Sequence, residues 1–228
     1  SVAYQVLRRN RDLVEIDSPA KLPPPHEVAE VREPYVEAVI LGPSHALAPV
    51  MTLVKQKRGL HRSTEFLGEA RVKLVVELPL SEILVDFYDR LKSLTRGYGS
   101  FDYELLGFRP GDLVRLDLLV NGQRCEPLSV IVVRAKALEQ GRALVERLRE
   151  LIPRQLFEVI LQAAIGSHVI ARESIRPLAK HVTGKCYGGD ITRKRKLWER
   201  QRAGKRRMKQ FGQVEIPQEA FLAALRIP

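Results

Sequence analysis

Cysteine, aromatic residues and long hydrophobic segments are all scarce in this chain of 228 residues. Cys125 and Cys186 are the only cysteines and form no C-x-x-C motif, so the sequence indicates neither a disulfide framework nor a thiolate metal site and favours a reducing compartment. No hydrophobic segment approaches the roughly 18 residues of a membrane-spanning helix, and no secretory signal opens the chain. The hydrophobic fraction of 45% still suffices for a folded core, which excludes a wholly disordered chain.

Acidic residues are scarce only in the last third of the chain, so the net charge of +11 is unevenly distributed. Residues 1–152 carry 22 lysines and arginines against 21 aspartates and glutamates, whereas residues 153–228 carry 16 against 6. A nearly neutral body therefore precedes a strongly basic end. Such an end indicates a polyanionic partner, which is either nucleic acid or an anionic membrane surface.

The hydrophobic periodicity within residues 31–109 predicts a ferredoxin-like βαββαβ domain. Strands are expected near residues 36–40, 61–66, 72–78 and 101–105, and helices over 47–54 and 81–91. Ser81 is the expected N-cap of the second helix. The buried face of that helix is expected to carry Leu84, Phe87, Tyr88 and Leu91.

The first 30 residues are expected to be the end of a preceding domain followed by a linker. Residues 2–7 and 13–16 predict the two strands of a hairpin, and an isolated hairpin is only marginally stable in water. We therefore expect this hairpin to complete a sheet formed by chain upstream of this sequence, which does not begin with methionine. The three consecutive prolines within residues 21–25 predict a stiff, extended linker.

Residues 110–228 are expected to form a small α+β domain with one helix on a curved antiparallel sheet and a basic helix near its C-terminus. Asn121 and Gly122 are the signature of a two-residue hairpin turn. The expected elements are a hairpin of residues 114–120 and 128–132, a helix over 144–151, a second hairpin of 157–163 and 169–171, and a short terminal helix docked through Phe221, Leu222 and Leu225.

Residues 193–209 are the most distinctive segment, because ten of these 17 residues are basic and one is acidic. Guanidinium and ammonium groups suit phosphates, since they form charge-assisted hydrogen bonds and release counterions. Aromatic side chains nearby offer stacking surfaces for unpaired bases. We therefore predict an RNA-binding site that consists of Lys185, Tyr187, Arg193, Lys194, Arg195, Lys196, Trp198, Arg200, Arg202, Lys205, Arg206, Arg207 and Lys209.

As a helix, this segment would have only a thin hydrophobic stripe. That stripe consists of Leu197, Trp198, Met208 and Phe211. Asp190 or Thr192 is the expected N-cap, and Gly212 is expected to end the helix. Because so many like charges repel one another, we expect this helix to be unstable alone and more stable when it is bound to a polyanion.

Other interpretations of the basic segment stay open. The clusters R-K-R-K and K-R-R-M-K are separated by eight residues, which is also typical of a bipartite localisation signal or of a plain solvated face. Anionic lipid is a further alternative partner, although the hydrophobic stripe is thin for a helix that lies in a membrane interface.

Two short motifs resemble known binding signatures but lack their context. Residues 96–103 match five of the seven positions of the RNP1 motif, yet RNP1 belongs on a third strand and this segment enters the fourth. We therefore expect Phe101 and Tyr103 to be core or sheet-face residues. Residues 183–186 resemble the end of a P-loop. The earlier glycine of that motif is missing, and so is the hydroxyl side chain that would bind magnesium. Residues 187–190 form either a turn before a helix or a loop against a phosphate.

Two long segments carry a family signature: C-Y-G-G-D-I-T-R-K-R-K-L at residues 186–197 and V-E-I-P-Q-E-A-F at residues 214–221. Shorter motifs accompany them at residues 32–34, 57–59, 89–93, 153–158 and 170–173. Over these segments the chain resembles the C-terminal portion of the LepA family of back-translocating elongation factors. The domain expected at 31–109 is similar to the last domain of elongation factor G, which is ferredoxin-like.

The resemblance implies a parent that is a ribosome-dependent GTPase, moves tRNAs back by one codon and supports the fidelity of protein synthesis. GTP and magnesium would bind in a domain upstream of this sequence, so we expect no catalytic, cofactor or metal site within it. The expected partners are the ribosome, through large-subunit ribosomal RNA, and tRNA. The expected state is a cytoplasmic monomer, with peripheral membrane binding or a stand-alone RNA-binding domain as alternatives.

Overall fold

A computed structural model of the chain describes residues 2–178, 191–211 and 214–225. Its packing divides the chain after Leu113 into two units, each with its own hydrophobic core. Both units combine helices with antiparallel strand pairs, so the predicted α+β class is confirmed. The domain boundaries expected at residues 30 and 109 stay predictions, although the packing joins residues 4–16 to the first unit.

The first unit contains six strands and three helices. In chain order these are β1 (Tyr4–Arg8), β2 (Leu13–Ile16), β3 (Val28–Pro43), α1 (Leu47–Gln56), β4 (Leu60–Leu67), β5 (Arg71–Pro79), α2 (Leu80–Ile83), α3 (Phe87–Leu94) and β6 (Ser100–Gly111). β3 lies between β6 and β5, and β4 lies beyond β5, with all three neighbouring pairs antiparallel. This strand order is that of the predicted ferredoxin-like domain, which is therefore confirmed.

The core of this unit lies between the sheet and its helices. Alternating residues of β3 and β5 supply one side of the core, as their sequence pattern predicts: Val36, Ala38, Ile40, Leu74, Val76 and Leu78. Phe87 and Leu91 of α3 supply the other side, together with Val50, Leu53 and Val54 of α1. Phe101 packs against this core with its ring 5.1 Å from that of Phe87.

The single helix predicted over residues 81–91 is instead split into α2 and α3 by a turn at residues 84–86. Ser81 lies within α2, which begins directly after Pro79, so the prediction that Ser81 is an N-cap is wrong. Leu84 and Tyr88 are about half exposed, so the predicted buried face is also wrong at these two positions. The turn changes the helical phase, and the four hydrophobic residues therefore do not share one face.

The predicted opening hairpin is confirmed. β1 and β2 pair in antiparallel register, with Tyr4 opposite Ile16. β1 also pairs with residues 28–32 at the start of β3, so the hairpin extends the sheet of the first unit. Along its 16 residues, β3 therefore pairs with β1 near its start and with β5 and β6 farther along.

Among the residues that the structure describes, the second unit contains a five-stranded sheet and three α-helices. Its elements are β7 (Leu113–Val120), β8 (Gln123–Arg124), β9 (Val130–Val133), α4 (Ala137–Leu151), β10 (Val159–Ile165), β11 (His168–Ile175), α5 (Ile191–Phe211) and α6 (Gln218–Leu225). The strand order is β11-β10-β7-β8, and β9 also pairs with β7. Asn121 and Gly122 have φ values of 52° and 84°, as the predicted two-residue turn requires. The strand that returns from this turn is the short β8, and β9 follows later than predicted.

The terminal helix α6 docks on the second core. Ala220 is fully buried, and Phe221 packs partly against the same core. Leu222 is 58% exposed, so its predicted role in docking is wrong, because this position lies about 200° around α6 from the buried Ala220. The side chain of Leu225 lies outside the described residues.

Candidate nucleic-acid interface

The basic segment forms one continuous helix, α5, of 21 residues. At 1.5 Å per residue the helix is about 30 Å long. The helix already begins at Ile191, so Thr192 lies inside its first turn and is not the N-cap. Asp190 and Gly212, the other predicted capping residues, lie outside the described residues.

α5 has one half-buried face and one exposed face. The half-buried residues recur every three to four positions and are Lys194, Leu197, Gln201, Gly204, Lys205 and Lys209. The exposed basic residues are Arg193, Arg195, Lys196, Arg200, Arg202, Arg206 and Arg207. Seven of the ten cations of α5 therefore point to solvent.

The exposed cations lie on two sides of this face. At 100° per residue, one row contains Arg193, Lys196, Arg200 and Arg207, and the other contains Arg195, Arg202 and Arg206. The first row runs from Arg193 to Arg207, which is about 21 Å along the helix axis. Arg195 pairs with Glu199 at 3.2 Å, the only acidic residue in this segment.

Most of this positive charge is not neutralised within the described part of the chain. Lys196, Arg200, Arg202, Arg206 and Arg207 contact no carboxylate among the residues that the structure describes. Dense exposed charge of one sign destabilises an isolated helix and attracts a polyanion. The arrangement can therefore supply several phosphate contacts along one helix.

The hydrophobic stripe predicted for α5 is only partly correct. Leu197 is half-buried, but Trp198 is 60% exposed and Met208 is about half exposed. Trp198 lies 100° around the helix from Leu197, toward the edge of the half-buried face, where it stays largely exposed. The exposed indole of Trp198 is consequently free to stack on a base or another planar group. The side chain of Phe211 lies outside the described residues.

Other predicted site residues are not described by the structure. Lys185 and Tyr187 fall in residues 179–190, as do the P-loop-like segment and the glycine pair that follows it. Their proposed phosphate and base contacts stay predictions. Within residues 2–178, 191–211 and 214–225, no group of three His, Cys, Asp or Glu side chains is placed to hold a metal ion.

A buried ion-pair network in the first unit was not apparent from the sequence. Arg58, at a φ of 56° between α1 and β4, binds Glu33 at 2.7 Å and Glu82 at 2.8 Å. Burial alone would lower the pKa of Arg58, but these two carboxylates outweigh it and raise the pKa. Burial, followed by the nearby charge of Glu33, raises the pKa of Tyr4 to about 12. These charges come from separate elements, so only the fold brings them together.

A second cluster lies on the sheet face opposite α1 and α3. Glu77 accepts hydrogen bonds from Arg62 at 2.7 Å and forms an ion pair with Arg109 at 2.6 Å. Arg109 also lies 4.7 Å from the ring centroid of Tyr35. The two arginines lower the pKa of Glu77 to about 2. The cluster therefore stabilises the charge of Glu77 within the sheet.

Comparison with known proteins gives a match to one family for each half of the chain. Residues 120–226 match the family of the GTP-binding protein LepA C-terminus. Residues 30–119 match the family of the elongation factor G C-terminus. The second match agrees with the ferredoxin-like strand order of the first unit.

Three curated relatives are similar over 227 residues, which is 100% of this chain. All are named elongation factor 4: the proteins of Desulforudis audaxviator (strain MP104C) at 54% identity, Geobacillus thermodenitrificans (strain NG80-2) at 52%, and Campylobacter lari (strain RM2100) at 50%. The chain spans only 38%, 37% and 38% of their respective lengths. One solved structure, of a Thermus thermophilus protein, matches 36% of this chain and 12% of its own at 27% identity, with a TM-score of 0.34.

These matches define a class: the chain corresponds to the C-terminal part of a translation elongation factor related to elongation factor G. Within that class it belongs to the LepA family, and the three relatives reported above are named elongation factor 4. The predicted family resemblance is thus confirmed. No helix in the described part of the chain is long and hydrophobic enough to cross a membrane, and no finding supports the alternative of membrane binding.

Proposed function

We propose that this chain is the ribosome- and tRNA-binding part of a translation elongation factor and that α5 is its principal RNA contact. The observation that carries this proposal is the exposed face of α5, with seven cations along one helix in a chain of the LepA family. The parent would hydrolyse GTP in a domain outside this sequence, where GTP and magnesium would bind. This chain would contribute binding and no hydrolysis, in the cytoplasm and as a monomer.

In this proposal the parent moves tRNAs back by one codon and so supports the fidelity of protein synthesis. A binding domain can promote such a movement only if it binds the ribosome more tightly after the movement than before it. Flexible cations on a helix suit this role, because their affinity for phosphates depends on where the RNA backbone lies. The first unit would contact large-subunit ribosomal RNA, as the family resemblance implies.

A charge-removal series tests the proposal. One variant replaces Arg193, Lys196, Arg200 and Arg207 by glutamine. The matched control replaces three exposed arginines and one exposed lysine elsewhere, Arg9, Arg71, Arg142 and Lys55, in the same way. Binding of both to unfractionated tRNA, and of the α5 variant to ribosomes, is measured beside anionic vesicles.

We expect the α5 variant to bind tRNA at least tenfold more weakly at about 0.1 M salt. A phosphate that is no longer contacted keeps its counterions, so their release no longer favours binding. The control should stay within about threefold of the unaltered chain. Equal losses in both variants would contradict the proposal. Binding to vesicles without any binding to RNA would also contradict it and would favour the membrane alternative.

A further inference from the structure

The short connector between α4 and β10, residues 153–158, holds chain segments on both sides of the basic helix. It contains the motif P-R-Q-L-F-E, which has no role in the function proposed above. The chain leaves β11 toward α5 along one part of this connector, and the C-terminal end of α5 meets another part.

On the outgoing side, Arg154 binds the chain that follows β11. Its Nε and Nη2 donate hydrogen bonds to the backbone carbonyls of Arg176 and Pro177, both at 3.0 Å. The backbone N–H of Leu178 donates to the carbonyl of Gln155 at 2.7 Å. Three hydrogen bonds therefore fix the last described residues before the segment that leads to α5.

On the returning side, Glu158 meets the end of α5. Its Oε2 lies 3.8 Å from Nζ of Lys209, whose side chain is half-buried. Directly after α5, Val214 and Ile216 pack against the core of the same unit, and Ala220 is fully buried there. The C-terminal end of α5 is therefore attached to the second unit by both charge and hydrophobic contact.

We propose that residues 153–158 act as a clamp that holds both ends of the segment bearing α5 and thereby positions its exposed cations for RNA. Arg154 and Glu158 are then positioning residues, which do not themselves contact RNA. This proposal rests on the function proposed above. A helix that is already held in place loses less conformational freedom on binding, so the clamp increases RNA affinity without adding a contact.

The outgoing contact depends on the shape of the arginine side chain. A guanidinium group presents several donors in one plane, so it can bind two consecutive carbonyls at once. A lysine ammonium is a compact charge on a flexible stem and does not reproduce this geometry. Arg154→Lys therefore keeps the charge of the clamp and removes its fixed geometry.

The chain contains one tryptophan, Trp198 on α5, so its fluorescence anisotropy reports the motion of this helix directly. We compare Glu158→Lys with the control Glu150→Lys, which makes the same charge change at a residue of similar exposure (64% against 51%) that pairs with Arg147 within α4. Glu158→Lys and Arg154→Lys should lower the anisotropy of the free chain, and Glu150→Lys should not. The swap Glu158→Lys with Lys209→Glu should restore it.

Binding to unfractionated tRNA gives the second readout. Glu158→Lys should bind about three- to tenfold more weakly than Glu150→Lys, since an exposed ion pair is replaced by repulsion while the net charge is equal. Equal anisotropy and equal affinity in these two variants would overturn the clamp. If the unaltered chain binds no tRNA, the proposed function fails, whereas the anisotropy series still decides whether the clamp exists.

Discussion

Glu77 shows how single charged residues stabilise the first unit. In the sheet it lies opposite Glu37, which in turn lies opposite Glu104 on β6. Like charges directly opposite each other are destabilising. Arg62 and Arg109 offset this repulsion at Glu77, which is only 8% exposed, and keep it ionised by lowering its pKa to about 2.

We expect Glu77→Gln to lower the free energy of unfolding by about 1–2 kcal/mol at pH 7. This value is smaller than the pKa shift alone implies, because both arginines are partly exposed and solvent screens their charges. The folded-state pKa lies below the usual 4.5, so this stabilisation is present above pH 4.5 and is lost as the pH falls toward 2. Urea unfolding at pH 7 and pH 3 measures both effects. The variant should lose less stability on acidification than the unaltered chain.

The control for this prediction is Glu65→Gln on the neighbouring strand β4. Glu65 is well exposed and lies 3.9 Å from Lys73, so its removal should change stability by less than about 0.5 kcal/mol. A Glu77→Gln variant that is as stable as this control at pH 7 would refute the assignment of Glu77 as a stabilising charge.

At the scale of elements, the parts predicted from the sequence are those set by local chemistry. Period-two alternation identifies β3 and β5, because one face of each strand is buried and the other is not. Asn121 and Gly122 identify their turn, because the backbone there needs positive φ. The break between α2 and α3 was not predicted, since the hydrophobic spacing of residues 84–91 fits a continuous helix equally well.

The burial of side chains on α5 and α6 was also not predicted from residue type. Trp198 and Leu222 are hydrophobic but exposed, whereas Ala220 is small and fully buried. Which side of a short helix faces the core depends on where the chain before it ends. That position is set by the packing of the whole unit, so it cannot be inferred from the local sequence.

Ala220→Leu tests the docking of α6. Ala220 is fully buried, so overpacking by the larger side chain should lower the free energy of unfolding by about 1–3 kcal/mol or detach α6. Leu222→Ala, at a largely exposed position on the same helix, should cost less than about 1 kcal/mol. Thermal unfolding followed by circular dichroism, with amide exchange over residues 214–222, distinguishes the two. If Leu222→Ala lost more protection from amide exchange over these residues than Ala220→Leu, that result would contradict the docking of α6 through Ala220.

At the scale of the whole molecule, charge is the property that the sequence predicts best. The net charge of +11 resides almost entirely in the last 76 residues, and composition alone indicates a polyanionic partner. The structure adds the exposed face on which the cations lie. The sequence could not predict the contacts of Arg154 and Glu158, because their partners lie 22 to 51 residues away along the chain.

The central claim is that α5 binds RNA through phosphate contacts, and the salt dependence of tRNA binding tests it most directly. If about six phosphates are contacted, log affinity should fall with log salt at a slope between about −4 and −5.5. In the variant lacking the charges of Arg193, Lys196, Arg200 and Arg207, the slope should become shallower by about 3, since four of those contacts are lost. An identical slope in both chains, or an affinity that does not depend on salt, would contradict the account.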